Sequence, residues 1–168
     1  LLPRQRGLEV QAGDVLAPFP HFRLMIAGEG PALPSLKRMA TTLGIADNVV
    51  FIGYLGRFSE LPDCYAAADV FVFASKTETQ GLVLLEAMAA GIPVYAFAKM
   101  GTCDIVGPQR GAIAAPEDID QFSAGLAQLL QDRGRLTQMA QEAKRFAASW
   151  SAPERARQLA GLYRSLTD

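Results

Sequence analysis

The feature that most constrains the fold is a set of short, continuously apolar segments at residues 49–52, 70–73 and 92–97. A strand with one face in water alternates apolar and polar residues, whereas a strand covered on both faces does not, so we expect strands of a parallel sheet between helices. Segments with helical periodicity lie between these runs, and strands and helices alternate from about residue 22. The order predicts an α/β fold with a doubly wound parallel sheet.

Residues 22–168 are predicted to form one domain, whereas residues 1–21, which contain three prolines, hold no element that we can assign. Glycines at positions 44, 53 and 91 mark the ends of three predicted elements. The predicted strands are 23–27, 48–52, 69–73, 92–97 and 111–115, and the predicted helices lie near 32–43, 59–68, 82–90, 117–132, 134–148 and 152–167.

The composition is that of a globular domain. Half of the 168 residues are hydrophobic and the net charge is −1. No basic run exceeds two residues, which argues against nucleic acid as a partner and against a polybasic membrane anchor. No apolar stretch approaches the roughly 20 residues of a membrane span, and the first residues do not resemble a secretory signal, so we expect a cytoplasmic protein. Cys64 and Cys103 show no disulfide or metal spacing and are interpreted as free thiols.

The loops after the predicted strands are the candidate binding site, because ligands of doubly wound sheets bind beyond the carboxyl ends of the strands. We expect four of these loops to converge on one edge of the sheet. They are residues 28–30, 53–56, 75–81 and 98–102, and each contains glycine or polar residues.

The helix predicted over 82–90 is the most informative segment. Glu86 is the only charged residue between Thr79 and Ala98, and a carboxylate in so apolar a helix needs polar partners or solvent. Gly81 precedes the helix and would let an anion approach the free N–H groups of its first turn. On these residues alone two other interpretations stay open: Gly81 only makes a tight turn, and Glu78 is a solvated loop charge.

Residues 75–94, Ser-Lys-Thr-Glu-Thr-Gln-Gly-Leu-Val-Leu-Leu-Glu-Ala-Met-Ala-Ala-Gly-Ile-Pro-Val, resemble the paired-glutamate signature of the retaining GT-B glycosyltransferases often called family 4. Residues 25–31, 50–54 and 65–72 resemble three further segments of that family, in the same order. The resemblance extends from about residue 22 to 166. It implies two facing Rossmann-like domains, of which this chain is the C-terminal, donor-binding one.

The resemblance also implies roles for individual residues. Glu86 would bind the ribose hydroxyls of a nucleoside diphosphate sugar, and Glu78, the implied catalytic residue, would bind the hydroxyls of the transferred sugar. Backbone amides near Gly81 would hold the diphosphate, and Tyr54 would border the base. The complete implied donor-binding set is Gly28, Gly30, Tyr54, Thr79, Gln80, Gly81, Leu82, Val83 and Glu86. No metal or cofactor is implied, and UDP is expected ahead of GDP or ADP as the nucleotide of the donor.

The activity implied is transfer of a hexose, with retention, to a hydroxyl of a glycan or lipid acceptor. It would require an N-terminal GT-B domain as partner, so we expect this chain alone to be inactive. Peripheral contact of the enzyme with the inner face of the membrane stays open. The Thr79-Gln80 pair resembles members that use hexose donors, although it does not identify the sugar.

The chain departs from the family at its start and at Gln80, where many members have Phe or Tyr. The basic segment that neutralises the donor diphosphate is not found in residues 1–21, which we interpret as a truncated or altered first-strand region. His21 is interpreted as structural or exposed. Two alternatives remain, a nucleotide-sugar binding module without activity and half of a nucleotide-sugar epimerase. A dinucleotide-dependent dehydrogenase is disfavoured, because Leu33 stands where the third glycine of that fingerprint belongs.

Overall fold

The computed structural model describes residues 22–56 and 59–166. The unassigned segment 1–21, and with it His21, lies outside the described residues. By its internal contacts the chain divides into two compact units, with unit 1 ending at Leu61 and unit 2 beginning at Pro62. Each unit contains its own parallel sheet.

Unit 1 contains a β–α–β arrangement. Strand β1 is Leu24–Ala27, helix α1 is Leu33–Thr42 and strand β2 is Val49–Gly53, with a 3-10 turn at Ala46–Asn48 before β2. The two strands pair in parallel, with Leu24 opposite Val49. Helix α1 has a proline in its first turn, where a missing N–H costs nothing, and Gly44 follows the helix with φ +68°. Helix α2, Glu60–Ala66, crosses the boundary between the units.

Unit 2 continues the alternation of strands and helices. Its strands are β3 (Phe71–Phe73), β4 (Val94–Ala96) and β5 (Ala112–Ala114), which lie side by side in that order and pair in parallel. Its further helices are α3 (Leu82–Ala90), α4 (Cys103–Val106), α5 (Ile119–Gln131), α6 (Arg133–Ser149) and α7 (Ala152–Ser165), with a 3-10 turn at Met100–Thr102.

Strand β4 lies at the centre of unit 2 and is buried at all three positions. Successive side chains of a strand point to opposite faces. Val94 and Ala96 belong to one buried cluster, with residues of α3 and α4, whereas Tyr95 and Phe97 belong to a second cluster with Leu129 of α5. Helices therefore cover both faces of this strand, which is the doubly wound arrangement that its apolar sequence predicts.

Two aspartates stand at the starts of helices α5 and α6. The side chain of Asp118 accepts a hydrogen bond from the N–H of Gln121 at the start of α5. Asp132 does the same for the N–H of Arg135 at the start of α6. Each carboxylate satisfies an N–H group that the helix leaves without an internal partner, so the ends of these helices are set by local sequence.

The α/β class and the parallel pairing of the strands are confirmed. The prediction that three strands are buried on both faces is correct for β4 and wrong for β2 and β3, where Val50 is 45% exposed and Val72 is 36% exposed. An apolar run shows that a strand can be buried on both faces, but the burial itself depends on what covers it. The sequence also did not predict α4, because four residues are too few to show a helical period.

Candidate functional site

The loop after β3 holds Glu78 in a fixed position at the start of α3. One oxygen of its carboxylate, Oε1, accepts hydrogen bonds from the N–H of Gln80 at 2.9 Å and of Gly81 at 3.0 Å. The hydrogen bond from Gly81 contributes most, and the bond from Gln80 next, to lowering the pKa of Glu78 below its ordinary value. The side chain is therefore an oriented, ionised carboxylate at neutral pH.

Gly81 makes the turn from this loop into α3. It has φ +71°, in the left-handed region, and a Cβ at this position would lie 2.7 Å from Cδ1 of Ile105. The left-handed backbone conformation therefore favours glycine at this position, and the Ile105 side chain of α4 leaves little room for a Cβ. The turn leaves the first N–H groups of α3, those of Leu82 and Val83, without partners inside the helix. These two residues are in the predicted set, and the Leu82 side chain is 50% exposed.

Glu86 lies one turn further along α3 and is half-buried. The hydroxyl of Tyr65, on α2, donates a hydrogen bond to Oε2 of Glu86 at 3.3 Å and lies 3.5 Å from the carbonyl oxygen of Val83. The Tyr65 ring in turn packs edge-on against Phe71 of β3, with ring centroids 5.7 Å apart. The carboxylate thus has the polar partner that its apolar helix requires, and Tyr65 is a contributor that sequence reasoning missed.

A second loop, at residues 99–102, fixes the position of the Glu78 loop. The N–H of Gly101 donates to the carbonyl oxygen of Glu78 at 3.1 Å. A Cβ at Gly101 would lie 2.0 Å from the carbonyl oxygen of Thr79, so the two backbones touch at a distance that only glycine permits. Thr79 and Gln80, both in the predicted set, form the facing part of this contact and are exposed.

Thr102 is the buried polar residue that shapes the second loop. It is fully buried, its hydroxyl lies 2.7 Å from the carbonyl oxygens of Phe97 and Lys99, and its oxygen accepts from the N–H of Lys99 at 2.8 Å. The sequence placed Gly101 and Thr102 in a candidate loop but gave no reason to single them out, since their partners lie more than twenty residues away or in the backbone.

The three remaining predicted residues belong to unit 1. Gly28 has φ +121°, and its N–H donates to the carbonyl oxygen of Gly53 at 2.7 Å, which ties the ends of β1 and β2 together. The carbonyl oxygen of Gly30 accepts from the N–H of Leu33 and begins the turn into α1. Tyr54 follows β2 and is 77% exposed. Within their unit, these residues follow strand ends, as expected.

A charged cluster that the sequence reasoning did not identify lies in unit 2. Glu117 forms ion pairs with Lys76 at 3.0 Å and with Lys99 at 2.6 Å. The hydrogen bond and charge of Glu117 raise the pKa of Lys99, and the hydrogen bonds from Lys99 and Lys76 lower the pKa of Glu117. The signal that could have found it is positional, since each residue stands three places after a strand end.

Two surface cavities lie elsewhere in unit 2. One, of about 230 Å³, is lined by residues that include Asp69, Pro93 and Arg133, and the other, of about 330 Å³, by residues that include Arg110 and Arg145. Asp69, Pro93 and Arg110 precede their strands, so these cavities adjoin the amino ends of the sheet, the edge opposite to the one where such folds bind ligands. They are not candidates for the chemistry.

In residues 22–56 and 59–166, no three side chains of His, Cys, Asp or Glu are grouped so that they could hold a metal ion. Across the same residues, no helix has the length and apolar character needed to cross a membrane.

A family model and two curated relatives resemble this chain. The family model described as "Glycosyl transferases group 1" matches residues 10–146. A GDP-mannose-dependent monoacylated alpha-(1-6)-phosphatidylinositol monomannoside mannosyltransferase of Corynebacterium glutamicum is 35% identical over 141 residues, which are 79% of this chain and 36% of the relative. An alpha-monoglucosyldiacylglycerol synthase of Streptococcus pneumoniae is 46% identical over 87 residues, 52% of this chain and 20% of the relative.

A solved structure agrees with the fold. The Anabaena protein HepE, in complex with UDP and glucose, superposes with a TM-score of 0.75 at 23% identity, covering 95% of this chain and 45% of that protein. The chain thus spans less than half the length of each of these three proteins. The similarity confirms the prediction of a Rossmann-like domain, one half of a GT-B fold.

Proposed function

Because this chain belongs to the glycosyl transferases group 1 family, we propose that it forms the donor-binding domain of a hexosyltransferase that acts with retention. The observation that supports this most directly is the turn at residues 78–81, where an ionised Glu78 is held by the N–H groups of Gln80 and Gly81 at the start of α3. A nucleoside diphosphate sugar needs both an anion site and an acceptor for sugar hydroxyls, and this turn supplies the two side by side.

The diphosphate is proposed to lie at the start of α3. The N–H groups of Leu82 and Val83 point out of the first turn, and the positive end of the helix dipole attracts an anion there. The same groups would stabilise the charge that develops on the departing diphosphate. We propose that the reaction uses no metal or organic cofactor.

The two glutamates are proposed to bind the two sugars of the donor, the ribose and the transferred hexose. Glu86, with its carboxylate oriented by Tyr65, accepts hydrogen bonds from the ribose hydroxyls. Glu78 accepts hydrogen bonds from hydroxyls of the transferred hexose and is the residue nearest to the reaction. Tyr54 is proposed to border the base, and Gly28 and Gly30 stay in the proposed donor-binding set.

In the proposed reaction the bond between the anomeric carbon and the diphosphate oxygen breaks, and a bond to the acceptor oxygen forms on the same face. The proton of the acceptor hydroxyl leaves with the nucleoside diphosphate. We propose UDP as the nucleotide, since HepE binds UDP and glucose. GDP is the competing outcome, since the Corynebacterium relative depends on GDP-mannose.

We propose that the acceptor is a lipid or glycan, as the names of the Corynebacterium and Streptococcus relatives suggest for those enzymes. The chain spans about a third of the Corynebacterium relative, so a second GT-B domain is proposed to complete the cleft, and the chain alone is proposed to bind donor without turnover. A cytoplasmic enzyme in peripheral contact with the membrane would fit such an acceptor.

Titration by ligand-observed NMR tests the donor site. UDP, GDP and ADP and their glucose and mannose conjugates are compared on the wild type, on Glu86→Gln and on Glu142→Gln, a control that removes an acid from α6. We expect one base series to bind and Glu86→Gln to weaken it by about 10- to 100-fold, since hydrogen bonds to a charged group contribute about 1.5–3 kcal/mol. Equal affinities for wild type and Glu86→Gln in a folded sample would refute the ribose role.

A further inference from the structure

The charged cluster of Lys76, Lys99 and Glu117 occupies a defined row at the carboxyl edge of the unit 2 sheet. The last residues of β3, β4 and β5 are register partners, Phe73 with Ala96 and Ala96 with Ala114. Each member of the cluster stands three residues beyond one of these ends. Equal spacing from an aligned edge explains why three residues far apart in sequence meet, and it places them where ligands of such sheets bind.

The cluster contains two positive side chains and one negative side chain. Lys99 Nζ lies 2.6 Å from Oε1 of Glu117 and Lys76 Nζ lies 3.0 Å from Oε2, so one carboxylate is shared by two ammonium groups. The cluster therefore carries a net charge of +1. Each ammonium has three N–H donors, so both retain donors that the carboxylate does not use.

Stability alone does not account for the cluster. The side chains of Lys76, Lys99 and Glu117 are 58%, 46% and 44% exposed, and ion pairs with this much solvent contribute about 0–1 kcal/mol. Lys76 Nζ also lies 5.6 Å from the centre of the Phe97 ring, within the range of a cation–π contact. The result is two cations held close together and open to solvent.

We propose that Lys76 and Lys99 form a subsite for a phosphate group carried by the acceptor. A phosphate can bridge two ammonium groups with charge-assisted hydrogen bonds. It would either replace the Glu117 carboxylate as their partner or bind to them beside it. The loop of Lys99 is bonded to the loop of Glu78 through Gly101, so a group bound here lies next to the proposed sugar site. The assignment to the acceptor rests on the proposed function, which places the donor diphosphate at Leu82 and Val83.

The test is a titration at low salt with glycerol 1-phosphate, monitored through the backbone NMR signals of residues 76, 99 and 117. The variants are Lys76→Gln with Lys99→Gln, Glu117→Gln, and Lys144→Gln as a control that removes one positive charge from α6 of the same unit. Coulomb attraction at about 4 Å in water corresponds to about fivefold in affinity per charge. We expect the double variant to bind about 25-fold more weakly, Glu117→Gln about fivefold more tightly, and the control within about twofold of wild type.

A parallel titration with phosphatidylcholine vesicles, with and without phosphatidylglycerol, separates a lipid from a soluble source of the phosphate. Binding that requires the anionic lipid and both lysines assigns the subsite to a phospholipid, and binding of glycerol 1-phosphate alone assigns it to a soluble ester. If neither probe depends on the lysines, or if Glu117→Gln weakens binding as the lysine variants do, the proposal is overturned.

The donor proposal is measured on the same samples with UDP and GDP. Lysine-independent phosphate binding together with nucleotide binding that Glu86→Gln weakens would overturn the subsite and leave the donor site standing. Lysine-dependent phosphate binding by a chain that binds no nucleotide would instead overturn the assignment to an acceptor and contradict the proposed function.

Discussion

Gly101→Ala should destabilise unit 2 although it adds a single methyl group. The new Cβ would lie 2.0 Å from the carbonyl oxygen of Thr79, 2.2 Å from its carbonyl carbon and 2.6 Å from the N–H nitrogen of Gln80. All three are backbone atoms, so no side-chain rotation relieves the clash. Since Gly101 does not have a positive φ, the alanine itself is not strained, and the effect reports only on the contact between the two loops.

The magnitude follows from two contributions. Forcing a methylene into a packed contact costs about 1–3 kcal/mol, and separating the loops weakens the bond from the Gly101 N–H to the carbonyl oxygen of Glu78, which contributes about 0.5–1.5 kcal/mol. We expect a loss of about 2–4 kcal/mol in the free energy of unfolding, or about 5–15 °C in Tm for a chain of this size.

Urea unfolding followed by the fluorescence of Trp150 measures this effect in the right unit. Trp150 is the only tryptophan of the chain and packs against Phe146 and Arg155 in unit 2. The matched control is Gly161→Ala in α7, where an added Cβ meets nothing within 4 Å. That change should raise stability by up to about 1 kcal/mol, because alanine is the better helix former. Equal effects of the two substitutions would refute the argument that backbone contact at Gly101 positions the Glu78 loop.

Two further predictions concern the same loops. Thr102→Val should lower the free energy of unfolding by about 1–3 kcal/mol, because it leaves the N–H of Lys99 without its acceptor in a buried site. Thr102→Ser, measured in the same urea titration, should retain most of the stability. Equal losses for the two variants would contradict the role of the hydroxyl. The folded-state pKa of Glu78 is lowered, so its contribution to stability is present above the ordinary value of 4.5 and is lost as pH falls through the folded pKa. The difference in stability between wild type and Glu78→Gln, from unfolding curves at several pH values, should therefore be constant near neutrality and shrink in acid; a difference that does not change between neutral and acidic pH would contradict the capping role.

Much of the fold could be predicted from the sequence, because its determinants are local. Helix α3 begins and ends where it was predicted, since glycines 81 and 91 flank it and both adopt positive φ. The boundaries of α5 and α6 lie within two residues of the prediction, and the side chains of Asp118 and Asp132 cap the starts of these helices. Which strand faces are buried by helices could not be predicted in this way, because that depends on residues distant in sequence. Val50 and Val72, which were predicted to be buried, are exposed for this reason.

The candidate site also has a part that local sequence predicts and a part that depends on distant residues. The positions of Glu78, Gly81 and Glu86 within one loop and one helix follow from a motif that a single sequence displays. Their support does not, because the Glu78 loop is held by Gly101, which lies 23 residues further along the chain.

This dependence changes how a loss of donor binding should be interpreted. The proposed ligand groups lie at residues 78–86, yet the backbone of Thr79 and Gln80 is in contact with Gly101, which itself depends on the buried hydroxyl of Thr102. A substitution at Gly101 or Thr102 should therefore impair donor binding and stability together, whereas Glu86→Gln should impair binding alone. Since a side chain that touches the ligand can be removed without unfolding the loop that carries it, the ratio of the two losses distinguishes residues that bind the donor from residues that hold the site in place.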